Sequence, residues 1–286
     1  MPRAKSNGIE LEYDTFGDPA DPAILLIMGF TAQMTAWEEA FVQLIADQGF
    51  HVIRFDNRDV GLSSRIEGDI DMAALFSGQI ESVPYSLDDM AADAAGLLDA
   101  LHIDRAHIVG ASMGGMIAQL VAINHPDKTL SLCSIMSTTG DPTVGQATPE
   151  AMAALVQPAA TNREEAVERG VSTGRILSPV HFDEAKAAKR AGESYDRAFD
   201  PKGVARQMAA IGTQADRTER LATVTVPSLV IHGRPDPLVT LSGGEATAKA
   251  IPGATLLVLD EMGHDNPEPL WPTIVDAIVT NARNAQ

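Results

Sequence analysis

A five-residue segment joins a strand pattern to a helix pattern and limits the possible fold more than any other part of the chain. The segment is Gly110-Ala111-Ser112-Met113-Gly114, which fits G-x-S-x-G. Residues Ala106–Val109 before it predict a buried strand, and a helix is predicted from Met116 to Asn124. A serine on such a turn projects its Oγ outward, and the next backbone N–H lies where an oxyanion would form. The segment therefore predicts a nucleophilic Ser112, with the N–H of Met113 as an oxyanion donor.

Strand and helix patterns alternate on both sides of this turn. Strands are predicted at Ile9–Phe16, Ala23–Met28, His51–Phe55, Ala106–Val109, Leu130–Met136, Val226–His232 and Ala254–Leu259. Helices are predicted at Ala36–Gln48, from Ser86 towards His102, at Met116–Asn124 and at Pro269–Asn281. The period-two pattern of Ile9–Phe16 is typical of a half-exposed antiparallel strand at a sheet edge. The alternation as a whole predicts an α/β fold with a doubly wound, mainly parallel sheet.

The alternation is interrupted once, by a long segment without strand patterns. Helices are predicted there at Glu150–Gln157, Arg163–Leu177, Asp183–Arg197 and Gly203–Gln214. We therefore expect a core formed by residues 1–137 and 218–286, with residues 138–217 inserted as a helical cap. The cap should cover Ser112, and some of its apolar residues should line the pocket: Leu155, Ile176, Leu177, Phe182, Phe199, Met208 and Ile211.

Composition limits the partners and the setting. The net charge of −18 argues against nucleic acid and anionic membranes, because both would repel the chain. No apolar run approaches the ~20 residues of a membrane span, and the first residues do not resemble a signal peptide. The lone cysteine, Cys133, fits a reducing compartment. We expect a cytoplasmic protein that acts on a small molecule. The sequence leaves open whether the protein forms a homodimer.

Two further residues complete a candidate constellation with Ser112. A serine needs a base to take its proton, and the base needs an acid to orient it. His264 follows the last predicted strand, and Asp236 lies four residues past His232, where the preceding strand ends. Ligands bind at the carboxyl ends of strands in open α/β sheets, so the three side chains should meet at one edge. Asp260 is the alternative acid, since it lies only four residues before His264.

Cofactor and metal patterns are not found in the sequence. The other histidines fit neither H-E-x-x-H nor Cys/His spacing, and the glycines near Ser112 lack both G-x-G-x-x-G and a P-loop lysine. We therefore expect neither a metal nor a nucleotide cofactor.

Four segments resemble the α/β-hydrolase superfamily, and within it the aclacinomycin methylesterase-type branch of serine esterases. They are Asp18–Pro22, Met28-Gly29, Asp56–Ser63 and Ile103–Gly110. The resemblance implies that Ser112 is the nucleophile, Asp236 the orienting acid and His264 the base.

The same resemblance implies a second oxyanion donor, the backbone N–H of Phe30. Met28 stands where such enzymes have the histidine of a His-Gly pair, which favours apolar ligands. We therefore expect Met28, Gly29 and Met34 to contact the substrate. The family also implies that Asp56, Arg58 and Gly61 brace the neighbouring loop through an internal ion pair.

Together these features predict a cofactor-free serine hydrolase that cleaves carboxylic esters or lactones of uncharged, moderately hydrophobic substrates. A perhydrolase (haloperoxidase-like) or a C–C bond hydrolase would use the same three residues. A ligand-binding receptor on a hydrolase scaffold is an alternative of another class.

Overall fold

An eight-stranded sheet forms the centre of the computed structural model, which describes residues 2–285. The strands are β1 (Arg3–Ser6), β2 (Ile9–Phe16), β3 (Ala23–Ile27), β4 (His51–Phe55), β5 (Ala106–Ala111), β6 (Thr129–Ile135), β7 (Ser228–Gly233) and β8 (Thr255–Leu259). Their order is β1-β2-β4-β3-β5-β6-β7-β8. Only the β1–β2 and β2–β4 pairs are antiparallel. The predicted mainly parallel α/β fold is confirmed.

Eleven α-helices lie within residues 2–285. They are α1 (Glu39–Ala46), α2 (Met72–Phe76), α3 (Leu87–Ala100), α4 (Met113–Asn124), α5 (Pro149–Leu155), α6 (Arg163–Leu177), α7 (Glu184–Arg197), α8 (Pro201–Gly212), α9 (Thr218–Leu221), α10 (Leu241–Ala250) and α11 (Trp271–Arg283). Short 3₁₀ turns lie at Met34–Ala36, Pro126–Lys128 and Glu268–Leu270. A capping box begins α3, because the Ser86 side chain accepts from the Asp89 N–H and the Asp89 side chain accepts from the Ser86 N–H. Sequence patterns missed α2, α9 and α10.

The sheet is covered on both faces, as the apolar parallel strands predict. In β3, Leu25 and Ile27 pack in the same hydrophobic cluster as residues of α3 and α4. Ile24 and Leu26, which point to the other face, pack with residues of α1 and α11. Successive side chains of a strand point to opposite faces, so an apolar run such as β3 needs a helical layer on each.

One prediction about the sheet is wrong: β2 is not an edge strand. β1 pairs with it antiparallel, with Ser6 opposite Ile9, and therefore occupies the edge. Asn7 and Gly8 form the two-residue connection, and both have positive φ, 46° and 80°. Asn-Gly is a strong signal for this hairpin turn. β1 itself is short and polar, so it carries no apolar strand pattern beside this turn signal.

Helices α5 to α8 all belong to the inserted segment, residues 138–217. The division of the chain into a core and a cap stays a prediction. Within residues 2–285, no helix is long and apolar enough to cross a membrane.

Candidate active site

Ser112 occupies a strained turn between β5 and α4. Its backbone has φ 58° and ψ −122°, a conformation that residues other than glycine rarely adopt. The Ser112 N–H donates to the Ile135 carbonyl oxygen at 2.9 Å. The Ser112 carbonyl oxygen accepts from the Ser137 hydroxyl at 2.9 Å and from the N–H groups of Gly115 and Met116. These bonds hold the turn in place, with Ser112 as the N-cap residue of α4.

The two glycines of the motif are required by close packing of the backbone. A Cβ on Gly110 would lie 2.0 Å from the Gly114 carbonyl oxygen, and a Cβ on Gly114 would lie 2.1 Å from the Ile27 carbonyl oxygen. Any side chain at either position would therefore push α4 away from β5 or β3. Close contact of this helix with both strands fixes where Ser112 lies at the sheet edge.

Three side chains form a continuous hydrogen-bonded chain. His264 Nε2 lies 2.9 Å from Ser112 Oγ, and His264 Nδ1 lies 2.8 Å from Asp236 Oδ2. The other carboxylate oxygen of Asp236 accepts from the backbone N–H groups of Leu238 and Val239. With a proton on Nδ1 facing the carboxylate, Nε2 keeps a lone pair for the proton of the serine hydroxyl. This arrangement can activate Ser112 as a nucleophile.

Asp260, the alternative acid, lies elsewhere. Its side chain is 76% exposed and forms an ion pair with Arg234 at 2.6 Å. His232 is close to Asp236, at 3.6 Å from Oδ2, but it is fully buried and its Nε2 contacts the Val239 carbonyl oxygen. Burial lowers the pKa of His232, and its hydrogen bond goes to Val239, so His264 is the histidine that bonds to Asp236.

The loop that carries His264 is held by residues at the end of α6. The His264 N–H donates to the carbonyl oxygen of Leu177, the last residue of α6, at 2.7 Å. The next side chain, Asp265, accepts from the Gly263 N–H at 2.8 Å and bonds to the Ser178 hydroxyl. Burial raises the pKa of the Asp265 carboxyl above its ordinary value. Leu177 and Ser178, at the end of α6, therefore help to hold the loop that carries the imidazole of His264.

The loop after β3 passes directly beside Ser112. A Cβ on Gly29 would lie 3.0 Å from Ser112 Cβ, so the residue at this position must be small. Met28, Gly29 and Phe30 line the same cavity as Ser112 and His264. Met34, in contrast, is completely buried and is not part of that lining. Its N–H donates to Asp56 Oδ1 at 2.8 Å, so the structure gives Met34 a role in packing and not in substrate contact.

The cavity over Ser112 has a volume of about 410 Å³. Its apolar walls come partly from the sheet edge and partly from α5 and α6: Trp37, Met136, Leu155, Leu177 and Leu238. A second cavity, of about 390 Å³, adjoins it and shares Phe30, Thr31 and Leu155. Of the seven apolar residues expected to cover Ser112, Leu155 and Leu177 line the first cavity and Phe199 lines the second. Ile176, Phe182, Met208 and Ile211 line neither.

The ion pairs of the loop after β4 differ from the expected internal pair. Asp56 Oδ2 pairs with Arg197 of α7 at 2.7 Å and also accepts from the Leu62 N–H, while Asp56 Oδ1 accepts from the Met34 N–H. Arg58 pairs with Asp93 of α3 at 2.6 Å. Asp56 and Arg58 thus each bind a different part of the chain, and Gly61 abuts the Asp56 carboxylate. Burial raises the pKa of Asp56 despite its neighbours.

Residues of α7 and α8 that sequence patterns had not singled out contact the loops beside Ser112. Arg206 of α8 binds Asp59 through two hydrogen bonds of 2.8 Å. Gln207 of α8 binds Thr31 and Arg58, and Gln33 binds backbone carbonyls at the end of α7. No local sequence signal marks these partners, because each pair is separated by more than one hundred residues.

Metal ligands are not grouped anywhere in the described chain. Residues 2–285 contain no cluster of three or more histidine, cysteine, aspartate or glutamate side chains that could hold an ion.

Comparison with known proteins places the chain among hydrolases. A family model described as the alpha/beta hydrolase fold matches residues 22–268. Rhodomycin D methylesterase DnrP of Streptomyces peucetius is 31% identical over 97% of this chain and 96% of its own length. 3-Oxoadipate enol-lactonase 2 of Acinetobacter baylyi is 28% identical over 91% of this chain and 88% of its own length.

A solved structure gives the same result. The enol-lactonase from Burkholderia xenovorans LB400 superposes with a TM-score of 0.75 and 26% identity, over 98% of this chain and all of that one. The family resemblance seen in the sequence is confirmed: the chain belongs to the α/β-hydrolase family.

Proposed function

We propose that this protein hydrolyses carboxylic esters or lactones through Ser112, His264 and Asp236, without a cofactor. Its family and its full-length similarity to methylesterases make the chain a carboxylic ester hydrolase. One observation carries the mechanism: the unbroken chain of hydrogen bonds from Ser112 Oγ through the imidazole of His264 to the carboxylate of Asp236. That chain supplies the nucleophile, the base and the orienting acid that acyl transfer needs.

In the first half of the reaction, Ser112 Oγ attacks the substrate carbonyl carbon while His264 Nε2 takes the hydroxyl proton. The negative charge that develops on the carbonyl oxygen is stabilised by the N–H groups of Met113 and Phe30. His264 then gives its proton to the alkoxide oxygen, the C–O bond breaks and the alcohol leaves. The acyl group stays on Ser112 as an ester.

In the second half, water replaces the alcohol. His264 takes a proton from the water, whose oxygen attacks the acyl carbon, and the same two N–H groups hold the oxyanion again. The proton then passes from His264 to Ser112 Oγ, and the carboxylic acid is released. Asp236 stays ionised throughout and stabilises the imidazolium that forms in each half.

The cavity supports uncharged, moderately hydrophobic substrates. Met28 and the apolar walls from α5 and α6 face Ser112 across a volume that suits a small organic ester. The helices of residues 138–217 act as a cap that covers this pocket. The names of the relatives, rhodomycin D methylesterase and enol-lactonase, support both an ester and a lactone as the reacting group.

The decisive experiment measures turnover of p-nitrophenyl esters of rising chain length, with lactones, C–C bond substrates and peracid formation alongside. Ester or lactone hydrolysis should be the fastest reaction, and Ser112→Ala should lower its kcat by on the order of 10⁶. Ser77→Ala changes an exposed serine at the end of α2 and serves as the matched control. Ester activity of Ser112→Ala within tenfold of wild type would falsify the proposal. If C–C bond cleavage or peracid formation is faster than ester and lactone hydrolysis, that reaction replaces ester hydrolysis as the proposed activity.

A further inference from the structure

The peptide unit that carries the proposed Phe30 donor lies in a strained loop. Thr31, the next residue, has a backbone φ of 58°, which residues other than glycine rarely adopt. A loop in such a conformation relaxes unless the surrounding structure holds it. An oxyanion donor must be fixed before the reaction begins, because a donor that has to reorient stabilises the developing charge less well. Side chains that hold this loop therefore act on the reaction.

Two amide side chains bind the loop, one on each side of the Gly29–Phe30 peptide. On the side before it, Asn57 Nδ2 donates to the Met28 carbonyl oxygen at 2.8 Å. On the side after it, the Thr31 N–H donates to Gln207 Oε1 at 2.9 Å. The Phe30 N–H belongs to the peptide between these two fixed points. We call Asn57 and Gln207 the amide clamp.

Both members of the amide clamp are themselves held. Asn57 is 2% exposed and lies two residues after the end of β4. Gln207 is fully buried, and its Nε2 donates to the Arg58 carbonyl oxygen at 3.0 Å. The preceding residue of α8, Arg206, donates to both carboxylate oxygens of Asp59. Arg206 thus attaches helix α8 to the loop after β4, whereas the Gln207 side chain is fixed by its own two hydrogen bonds and by burial.

We propose that Asn57 and Gln207 are positioning residues that fix the oxyanion hole, with the inserted helix α8 supplying one half of the amide clamp. The inference rests on the proposed function, since it takes the Phe30 N–H as a donor. Gln207 touches neither Ser112 nor His264 through any hydrogen bond. It acts through the Thr31 N–H, which it keeps turned away from the substrate carbonyl while the Phe30 N–H is presented.

The test separates transition-state stabilisation from substrate binding. Gln207→Met and Asn57→Leu each remove one half of the amide clamp. Removal of a whole oxyanion donor costs ~10²–10³ in kcat, and misplacement of one should cost ~10–100-fold, with KM within about threefold of wild type. A trifluoromethyl ketone, which forms an oxyanion on Ser112, should lose affinity by the same factor as kcat/KM. A phosphonate that labels Ser112 counts the folded sites, so that a partly unfolded variant still gives kcat per site.

Arg206→Met is the matched control on α8. It removes the ion pair with Asp59 but leaves both bonds of the amide clamp, so it should lower stability while kcat per labelled site stays within about threefold of wild type. An equal loss of kcat in Arg206→Met and Gln207→Met would overturn the proposal, since loosening of α8 would then explain both. Full kcat per site in both clamp variants would also overturn it. If Ser112→Ala keeps its activity, it is instead the proposed function that fails.

Discussion

Asp236 Oδ2 lies 2.8 Å from His264 Nδ1, while the other oxygen of the same carboxylate accepts two backbone N–H groups. Asp236→Asn should therefore lower kcat for a p-nitrophenyl ester by roughly 10⁴, because an amide at this position favours the wrong tautomer of the imidazole. Asp260→Asn breaks only an exposed pair with Arg234 and should leave kcat within about threefold. The reverse pattern in steady-state kinetics would exchange the roles of the two aspartates.

Gly114→Ala should destabilise the protein. The new Cβ would lie 2.1 Å from the Ile27 carbonyl oxygen, which belongs to a buried strand and cannot move freely. We expect a loss of roughly 1–3 kcal/mol in the free energy of unfolding, as overpacked cores show. Gly212→Ala at the end of α8, where the neighbouring atom is the end of the Leu75 side chain, is the control. Denaturant unfolding of Gly114→Ala that matches this control would show that the close contact carries no cost.

Leu155→Ala and Leu177→Ala should change which ester is preferred. Both side chains line the cavity over Ser112, and a larger cavity should move the optimum of kcat/KM towards longer acyl or alcohol chains. Met208→Ala is the control, because Met208 lines neither cavity. Initial rates across a chain-length series give the comparison. An unchanged profile combined with a changed oligomeric state would assign these residues to a dimer contact and not to the substrate.

His107 should make stability depend on pH. Its ring is buried in β5, with Nδ1 2.9 Å from Ser131 Oγ, and burial lowers its pKa from 6.5 to about 4. Between these values the unfolded chain binds a proton that the folded chain does not, so stability falls as pH decreases from 6.5 towards 4. The contribution is present in full above pH 6.5 and amounts to about 3 kcal/mol.

The measurement is the free energy of unfolding at several pH values, for wild type and His107→Gln. Between pH 7 and pH 4, the free energy of unfolding of wild type should fall by about 3 kcal/mol more than that of His107→Gln, since only wild type has this histidine to protonate. His102→Gln, at an exposed position, is the control. A constant difference across this range would mean that His107 is not held neutral by its surroundings.

The sequence was sufficient to predict seven of the eight strands and the sheet edge at which Ser112, Asp236 and His264 lie. Apolar runs such as Ala23–Ile27 mark parallel strands because a strand buried on both faces must be apolar throughout. Ser112, Asp236 and His264 each follow the carboxyl end of a strand, so topology alone brings them to one edge. Their hydrogen-bonded contact is a property of the structure, and their catalytic roles stay a prediction.

What the sequence could not give are contacts between segments that are far apart along the chain. The partner of Asp56 is Arg197, and the partner of the Thr31 N–H is Gln207. An arginine or glutamine on a helix is most often exposed, and no spacing rule links it to a loop more than one hundred residues earlier. Met34 was misplaced for a related reason: its neighbourhood in sequence suggested the pocket, but the 3₁₀ turn at Met34–Ala36 directs it into the core.

The backbone of Ser112 has a consequence for how such a chain can change. Glycine is the residue that adopts a positive φ without steric cost, so a serine at this position lowers the stability of the folded chain by on the order of 1–3 kcal/mol. Ser112→Gly would remove both the hydroxyl and the strain. A descendant of this chain that no longer needed the proposed nucleophile would therefore gain stability by replacing Ser112 with glycine.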